Sequence, residues 1–186
     1  ETASIFNETL LSQTVRRSAD DATRLVLLEN SLMEATQTVV DIYSRYLFES
    51  AVIEARKTHI PSAQELNGFM LDAQEQSYGD GLSKDARHPS MWVCKSHYYS
   101  TGLHFYNFPY AFGLLFGLGV FVQFQKEGAA FVPKYDKLLA SCGSDTVRNV
   151  AASVGIDVNS VDYWRSALDV VRGEINEFLA LSEKKC

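Results

Sequence analysis

Two glutamates at the start of the chain have a spacing that could serve a metal ion. Glu1 and Glu8 are seven residues apart, so on a helix they lie two turns apart on the same face. Carboxylates that point the same way can act together as metal ligands. The alternative is that both face water, because glutamates near a helix N-terminus interact favourably with its dipole. By spacing alone, the second interpretation is favoured.

The densest group of histidine and aromatic side chains lies between His97 and Gly113. On a helix that begins here, Tyr106, Tyr110, Gly113 and Gly117 follow one another along one face. This pattern places two hydroxyl groups before small residues, which would leave room for a ligand. The alternative is a core stripe, in which each buried tyrosine or histidine needs a hydrogen-bond partner. The spacing leaves both interpretations open.

The remaining aromatic and histidine residues predict structural roles. Phe108, Phe112 and Phe116 form a separate helical stripe that is predicted to pack in the core. His59 lies at a predicted helix end and His88 lies in a predicted loop, and neither has a ligand-like neighbour. The sequence contains no HExxH, no GxSxG, no phosphate-binding loop and no GxGxxG preceded by a strand.

Helices must position these residues, because no segment has the alternating pattern of a strand. No Gly or Pro interrupts the chain before Pro61, and periodic apolar residues predict a helix of about 35 residues, with Ser18 or Asp20 as its cap. Ser62 and Glu65 form a capping box that opens the next helix. The other predicted helices cover residues 1–17, 91–97, 107–126, 130–141, 145–154 and 160–182. The sequence therefore predicts an all-α fold, a multi-helix bundle that forms a single helical domain over 1–186.

Composition narrows the possible partners. The 186 residues are 46% apolar and carry a net charge of −6 without a Lys/Arg cluster, so neither nucleic acid nor an anionic membrane is expected to bind. The apolar run Ala111–Phe124 has 14 residues, fewer than the ~20 that span a bilayer, and predicts a core helix. Cys94, Cys142 and Cys186 lack a CxxC spacing and predict free thiols in a reducing cytosol.

Two segments resemble a known family. They are Glu1–Glu8 (ETASIFNE) and the segment from His97 to Gly113, which includes HFYNFPYAFG. Both are similar to the oligoendopeptidase F group of the M3 zinc metallopeptidases. Arg45–Glu49 (RYLFE) and Met91–His97 (MWVCKSH) are also similar to that family, so the resemblance covers at least residues 1–125 in the family's order.

The resemblance implies a zinc cofactor and a role for each glutamate. In that family, two histidines of an HExxH helix bind zinc together with the glutamate that opens a later E-x-x-S-x-x-x-E segment. By this resemblance, Glu1 is the third zinc ligand, and Glu8 is a supporting residue behind it.

The resemblance also implies roles for residues of the aromatic segment. The family uses a histidine and tyrosines to hold the substrate backbone and to stabilise the oxyanion. His97 and Tyr106 match these catalytic residues, and Tyr110 matches a substrate-binding tyrosine. Tyr99 and His104 lie close by and are further substrate-binding candidates.

The sequence contains no HExxH segment, so the chain is expected to supply only part of the active site of such a peptidase. The resemblance implies the C-terminal helical half of a thermolysin-like M3 oligopeptidase catalytic domain, in a cytoplasmic enzyme that cuts short peptides. The chain would then be a shortened form or a proteolytic product, inactive alone, and its uncovered apolar surface could drive self-association. The alternative is a non-catalytic, all-helical peptide- or protein-binding module. An HExxH upstream of Glu1 would favour the enzyme.

Overall fold

The computed structural model describes residues 2–184, and every regular element in that range is helical. This confirms the all-α prediction. The chain divides into two compact units, residues 1–33 with 112–186 and residues 34–111, called unit 1 and unit 2 below. The α-helices are α1 Thr2–Ser18, α2 Asp21–Ala35, α3 Ile42–Ala55, α4 Ala63–Tyr78, α5 Phe108–Glu127, α6 Val132–Ala140, α7 Val147–Ala152 and α8 Val161–Glu183.

The predicted long helix is present, but it contains an irregular turn. Helical structure runs continuously over residues 21–55, and the π-helix Thr36–Asp41 joins α2 to α3. Of the two candidate caps, Asp20 acts as one, because its Oδ1 accepts the Thr23 N–H at 2.8 Å. Periodicity could not predict the π-helix, because six residues are too few to show a period different from that of an α-helix.

The capping box predicted for the next helix is confirmed. The Ser62 side chain accepts the Glu65 N–H, and the Glu65 carboxylate accepts the Ser62 N–H at 2.8 Å. The backbone and side-chain hydrogen bonds from Ser62, with a further contact from His59, lower the pKa of Glu65 to about 2. His59 therefore has a structural role at this helix start.

Unit 1 has an aromatic core. Most of its buried residues come from α1 and from α5 to α8, and Tyr163 of α8 lies among them. The other members of this core are Phe6, Phe116, Val120, Phe121, Phe131, Leu138, Ala151, Val154 and Ile156. Phe112 packs against this core, as predicted for it and for Phe116.

Unit 2 has a smaller core between α3 and α4. Phe48, Met70 and Ala73 are its buried members. Trp92 and Tyr98 are half-buried and pack against this core from the segment predicted as a helix over 91–97. That prediction is wrong in detail, because the segment forms two 3-10 turns, Met91–Cys94 and Ser96–Tyr99. Trp92 and Tyr98 therefore reach the core from short turns and not from a continuous helix.

Helix α5 is the most apolar helix of the described chain. The helical stretch Phe108–Ala140 is long and apolar enough to cross a membrane by length and composition, a test that core helices of soluble proteins also pass. Within unit 1, α5 contributes Phe116, Val120 and Phe121 to the core. The helix ends at Glu127, and Gly128 follows with a positive φ of 60°, as predicted.

Helices α5 and α8 approach closely at Gly119. A Cβ atom on Gly119 would lie 2.4 Å from Cζ of Tyr163. The Tyr163 ring cannot easily move away, because its hydroxyl donates to the Phe116 carbonyl oxygen at 3.0 Å. Only glycine therefore allows this packing.

We expect Gly119→Ala to lower the free energy of unfolding by ~1–3 kcal/mol, because the added methyl group overpacks a rigid contact. The matched control is Gly173→Ala in α8, where nothing lies within 4 Å of the added methyl group. This control should raise stability by up to ~1 kcal/mol through helix propensity. Urea unfolding of both variants measures the difference, and equal shifts would contradict the close approach.

Candidate functional site

Three of the predicted site residues form a ring cluster in unit 2. The ring centroids of His97 and Tyr106 are 5.1 Å apart, and those of Tyr106 and Tyr110 are 6.2 Å apart in an edge-to-face arrangement. His97 and Tyr110 complete the cluster at 6.4 Å. The structure therefore brings together the histidine of a 3-10 turn and two tyrosines that follow it by nine and thirteen positions.

The polar side-chain atoms of this ring cluster make no hydrogen bond to another described residue. Nδ1 of His97 is buried and has no hydrogen-bond partner among residues 2–184. Tyr106 and Tyr110 are 41% and 44% exposed, and neither hydroxyl bonds to another described residue. Buried polar atoms are normally paired, and Nδ1 of His97 is one of seven buried side-chain atoms among residues 2–184 that have no partner.

Two weaker candidates lie outside the ring cluster. Tyr99 follows His97 by two residues in the same 3-10 turn, but its side chain is largely exposed. His104 is exposed in the irregular segment that precedes α5. Neither has a described ring contact or side-chain hydrogen bond, so the geometry separates them from His97, Tyr106 and Tyr110.

The helical stripe predicted for this segment needs two corrections. Tyr106 lies in a turn before α5, which begins at Phe108. In this turn the Phe108 N–H donates to the Phe105 carbonyl oxygen at 3.1 Å. The Tyr106 ring contacts the Tyr110 ring from the turn and not from the helix. Phe108, which was predicted to pack in the core, is 63% exposed and is not a member of the core of unit 2.

The glycine stripe does not leave room for a ligand at Gly117. A Cβ atom on Gly117 would lie 2.6 Å from Cγ2 of Ile5 and 2.9 Å from its Cβ. Helix α1 therefore fills the space that the small side chain creates. The sequence identified a position that must be small, but the reason is helix packing.

The segment that carries Tyr106 is held by a buried carboxylate. Phe105 has a positive φ of 52°, which costs a bulky residue ~1–2 kcal/mol. Its N–H donates to Oε1 of Glu49 at 2.8 Å, and Glu49 is only 9% exposed. The Phe105 ring also packs against Tyr46, one turn earlier on α3, at 5.4 Å. Helix α3 thus fixes the residue before Tyr106.

A second anchor holds the residue after Tyr106. Arg45 donates from Nη1 to Oδ1 of Asn107 at 3.2 Å, and Asn107 is 2% exposed. The same guanidinium forms a buried ion pair with Asp41, which also accepts the Tyr78 hydroxyl at 3.2 Å. Burial, together with the Asp41 charge, raises the pKa of Tyr78 to about 12, so this hydroxyl stays protonated as a donor.

Sequence reasoning assigned no role to Asp41, Arg45, Glu49 or Asn107. The available signal was the i, i+4, i+8 spacing of the first three, which places them on one face of a helix. Charged residues with this spacing normally face water, and only the packing of α3 against the following segment reveals that they are buried.

The described chain does not form a zinc site by itself. No group of three His, Cys, Asp or Glu side chains that could hold a metal exists among residues 2–184. Glu1, the expected ligand, lies outside the described residues. Glu8 is exposed on α1 and makes no hydrogen bond or ion pair to another described residue. Cys94 and Cys142 are free thiols, and Cys186 lies outside the described range.

We expect Asp41→Ala to lower the free energy of unfolding by ~3–5 kcal/mol, because it leaves the buried Arg45 charge without its partner. The control is Lys57→Ala, which removes the exposed Lys57–Glu54 pair and should change stability by less than ~1 kcal/mol. Chemical unfolding of both variants tests this expectation. Equal losses would contradict the anchoring role of the Asp41–Arg45 pair.

Comparison with known proteins identifies relatives along the whole chain. The chain is 26% identical over 186 residues to an oligoendopeptidase F homolog of Lactococcus lactis, and 26% identical over 188 residues to the group B oligopeptidase PepB of Streptococcus agalactiae. Each alignment covers 99% of this chain and 30% of the relative, so the chain spans about a third of their length. No protein-family model matches the chain.

A solved structure has the same fold. The crystal structure of oligoendopeptidase F from Enterococcus faecium superimposes with a TM-score of 0.88 at 20% identity, over 99% of this chain and 35% of that protein. At this identity the likeness establishes the helical fold alone. Together with the sequence relatives, it shows that the chain is similar over nearly its whole length to a helical segment of proteins named oligoendopeptidase F.

Proposed function

We propose that this chain is the C-terminal part of the catalytic domain of a zinc-dependent oligoendopeptidase that hydrolyses short peptides. The observation that carries the proposal is the ring cluster of His97, Tyr106 and Tyr110, the residues to which the sequence resemblance assigns the oxyanion and the substrate. The peptidase names of the sequence relatives support the reaction class. The chain spans only part of those relatives, so the activity belongs to the longer protein that would contain it.

Within this proposal, His97 and Tyr106 stabilise the developing oxyanion. Attack on a peptide carbonyl places negative charge on its oxygen, and preorganised donors lower the energy of that state. The Tyr106 hydroxyl and the His97 imidazole can both donate, and neither is bonded to another described residue. Tyr110 lies against both rings and would contact the peptide backbone.

Zinc would be held by Glu1 together with ligands from outside this chain. When bound, such an ion polarises a water molecule and the scissile carbonyl. Because residues 2–184 contain no three-ligand group, the 186-residue chain alone should neither bind zinc tightly nor cleave peptides. By the sequence resemblance, Glu8 would be a supporting residue for Glu1.

A second candidate is a helical module that binds peptides without cutting them. It is favoured by a group of aromatic rings in which Tyr43 and Tyr46 are exposed. The ring centroids of Tyr43 and Tyr46 are 6.4 Å apart in a stacked arrangement, and the Tyr46 ring also contacts the Phe105 ring. Such rings offer apolar contact area without any catalytic group. Peptide binding by the complete protein, without cleavage in the presence of zinc, would favour this candidate.

We expect Glu1→Ala in the complete peptidase to lower zinc content after dialysis and to abolish turnover, because it removes a negatively charged ligand. Excess zinc should restore part of the activity. Glu8→Ala is the matched control and should have a smaller effect on both quantities. Metal analysis and a fluorogenic peptide assay measure them. Full zinc content and near-normal turnover in Glu1→Ala would show that Glu1 is not a ligand.

We expect Tyr106→Phe in the complete peptidase to lower kcat by ~10²-fold, because it removes one oxyanion donor and keeps the ring. Zinc content and melting temperature should stay unchanged, since packing is nearly conserved. Tyr43→Phe is the control, because it removes an exposed hydroxyl outside the ring cluster. Unchanged kcat in both Tyr106→Phe and His97→Ala would remove this segment from the active site.

A further inference from the structure

We propose that Glu49 is a positioning residue for Tyr106: its carboxylate holds Phe105 in the left-handed conformation, and this fixes the Tyr106 ring beside His97. The catalytic meaning of this inference rests on the proposed function. Its geometric part does not, because it concerns only the placement of one ring relative to another within unit 2.

Glu49 is one of the buried residues of α3. It follows Phe48, whose ring is buried and packs against Tyr98 at 5.0 Å. The Glu49 carboxylate accepts the Phe105 N–H at 2.8 Å with little exposure to water. A buried carboxylate is costly unless it is hydrogen-bonded, and this bond also satisfies a backbone donor in a segment without regular structure.

The hydrogen bond between the Phe105 N–H and Glu49 can influence Tyr106 because Phe105 and Tyr106 are adjacent in the chain. Phe105 directly precedes Tyr106, so a change in the Phe105 backbone angles swings Tyr106 away from His97. A phenylalanine has no intrinsic preference for positive φ and would leave it if released. The Glu49 bond and the Phe105–Tyr46 ring contact supply the restraint on this side of Tyr106.

Tyr106 has no comparable restraint of its own. Its side chain is 41% exposed, and its hydroxyl has no partner among the described residues. Its place is set by its neighbours, namely Phe105 bonded to Glu49 and Asn107 bonded to Arg45. Strain held at a site by surrounding contacts is typical of residues that must be preorganised. A misplacement of about 1 Å at such a donor can cost ~10²-fold in rate.

The test compares three substitutions at one position. Glu49→Ala removes the acceptor, Glu49→Asp draws it back by one methylene, and Glu49→Gln keeps an acceptor oxygen of the same reach. Glu54→Ala, an exposed glutamate of the same helix, is the control. In the 186-residue chain, the nuclear Overhauser effect between the His97 and Tyr106 ring protons reports their contact, and amide exchange in α3 and α4 reports folding.

We expect this Overhauser effect to disappear in Glu49→Asp and Glu49→Ala and to persist in Glu49→Gln and Glu54→Ala. In the complete peptidase, Glu49→Asp should lower kcat by ~10- to 100-fold with little change in KM or zinc content, and Glu49→Gln should restore most of it. A preserved ring contact in Glu49→Asp would overturn the proposal, and so would a Glu49→Gln variant as impaired as Glu49→Asp. Absence of peptidase activity in the unmodified complete protein would instead contradict the proposed function and leave the ring contact to decide this inference.

Discussion

The buried ion pair between Asp41 and Arg45 is the interaction on which the candidate site depends. Asp41 is the last residue of the π-helix, Arg45 follows it by four positions on α3, and both side chains are almost fully removed from water. A charge in such a place needs several partners, and Arg45 finds them in Asp41 and Asn107. The requirement to satisfy this charge therefore ties an irregular segment to a rigid helix.

This arrangement explains how a segment of turns can hold side chains at defined distances. The chain from Met91 to Asn107 has two 3-10 turns and no long helix. Met91, Trp92 and Tyr98 pack against the core of unit 2. Glu49 accepts the Phe105 N–H, and Arg45 donates to the Asn107 side chain. Tertiary contacts here replace the local hydrogen bonds that a helix would supply.

Unit 1 also contains a buried ion pair between an arginine and a carboxylate. Arg16 of α1 is buried and donates to Oε1 of Glu174 on α8 at 2.7 Å, and Ser31 donates to Oε2 of the same glutamate. Each unit thus combines an apolar core with a buried arginine–carboxylate pair. Such pairs add little net stability compared with apolar substitutes, but removing one partner is costly, so they fix which helix faces meet.

The sequence by itself determined the helical class, most helix boundaries and the identity of the candidate residues. Caps such as Asp20 and Ser62 are local signals, and local signals can be read without knowing the fold. The sequence could not show that a side chain at Gly117 would clash with Ile5. Nor could it show that Glu49 is buried. It also could not reveal the turn before α5 or the π-helix. These features depend on which residues meet across long stretches of chain, and only the tertiary structure decides those contacts.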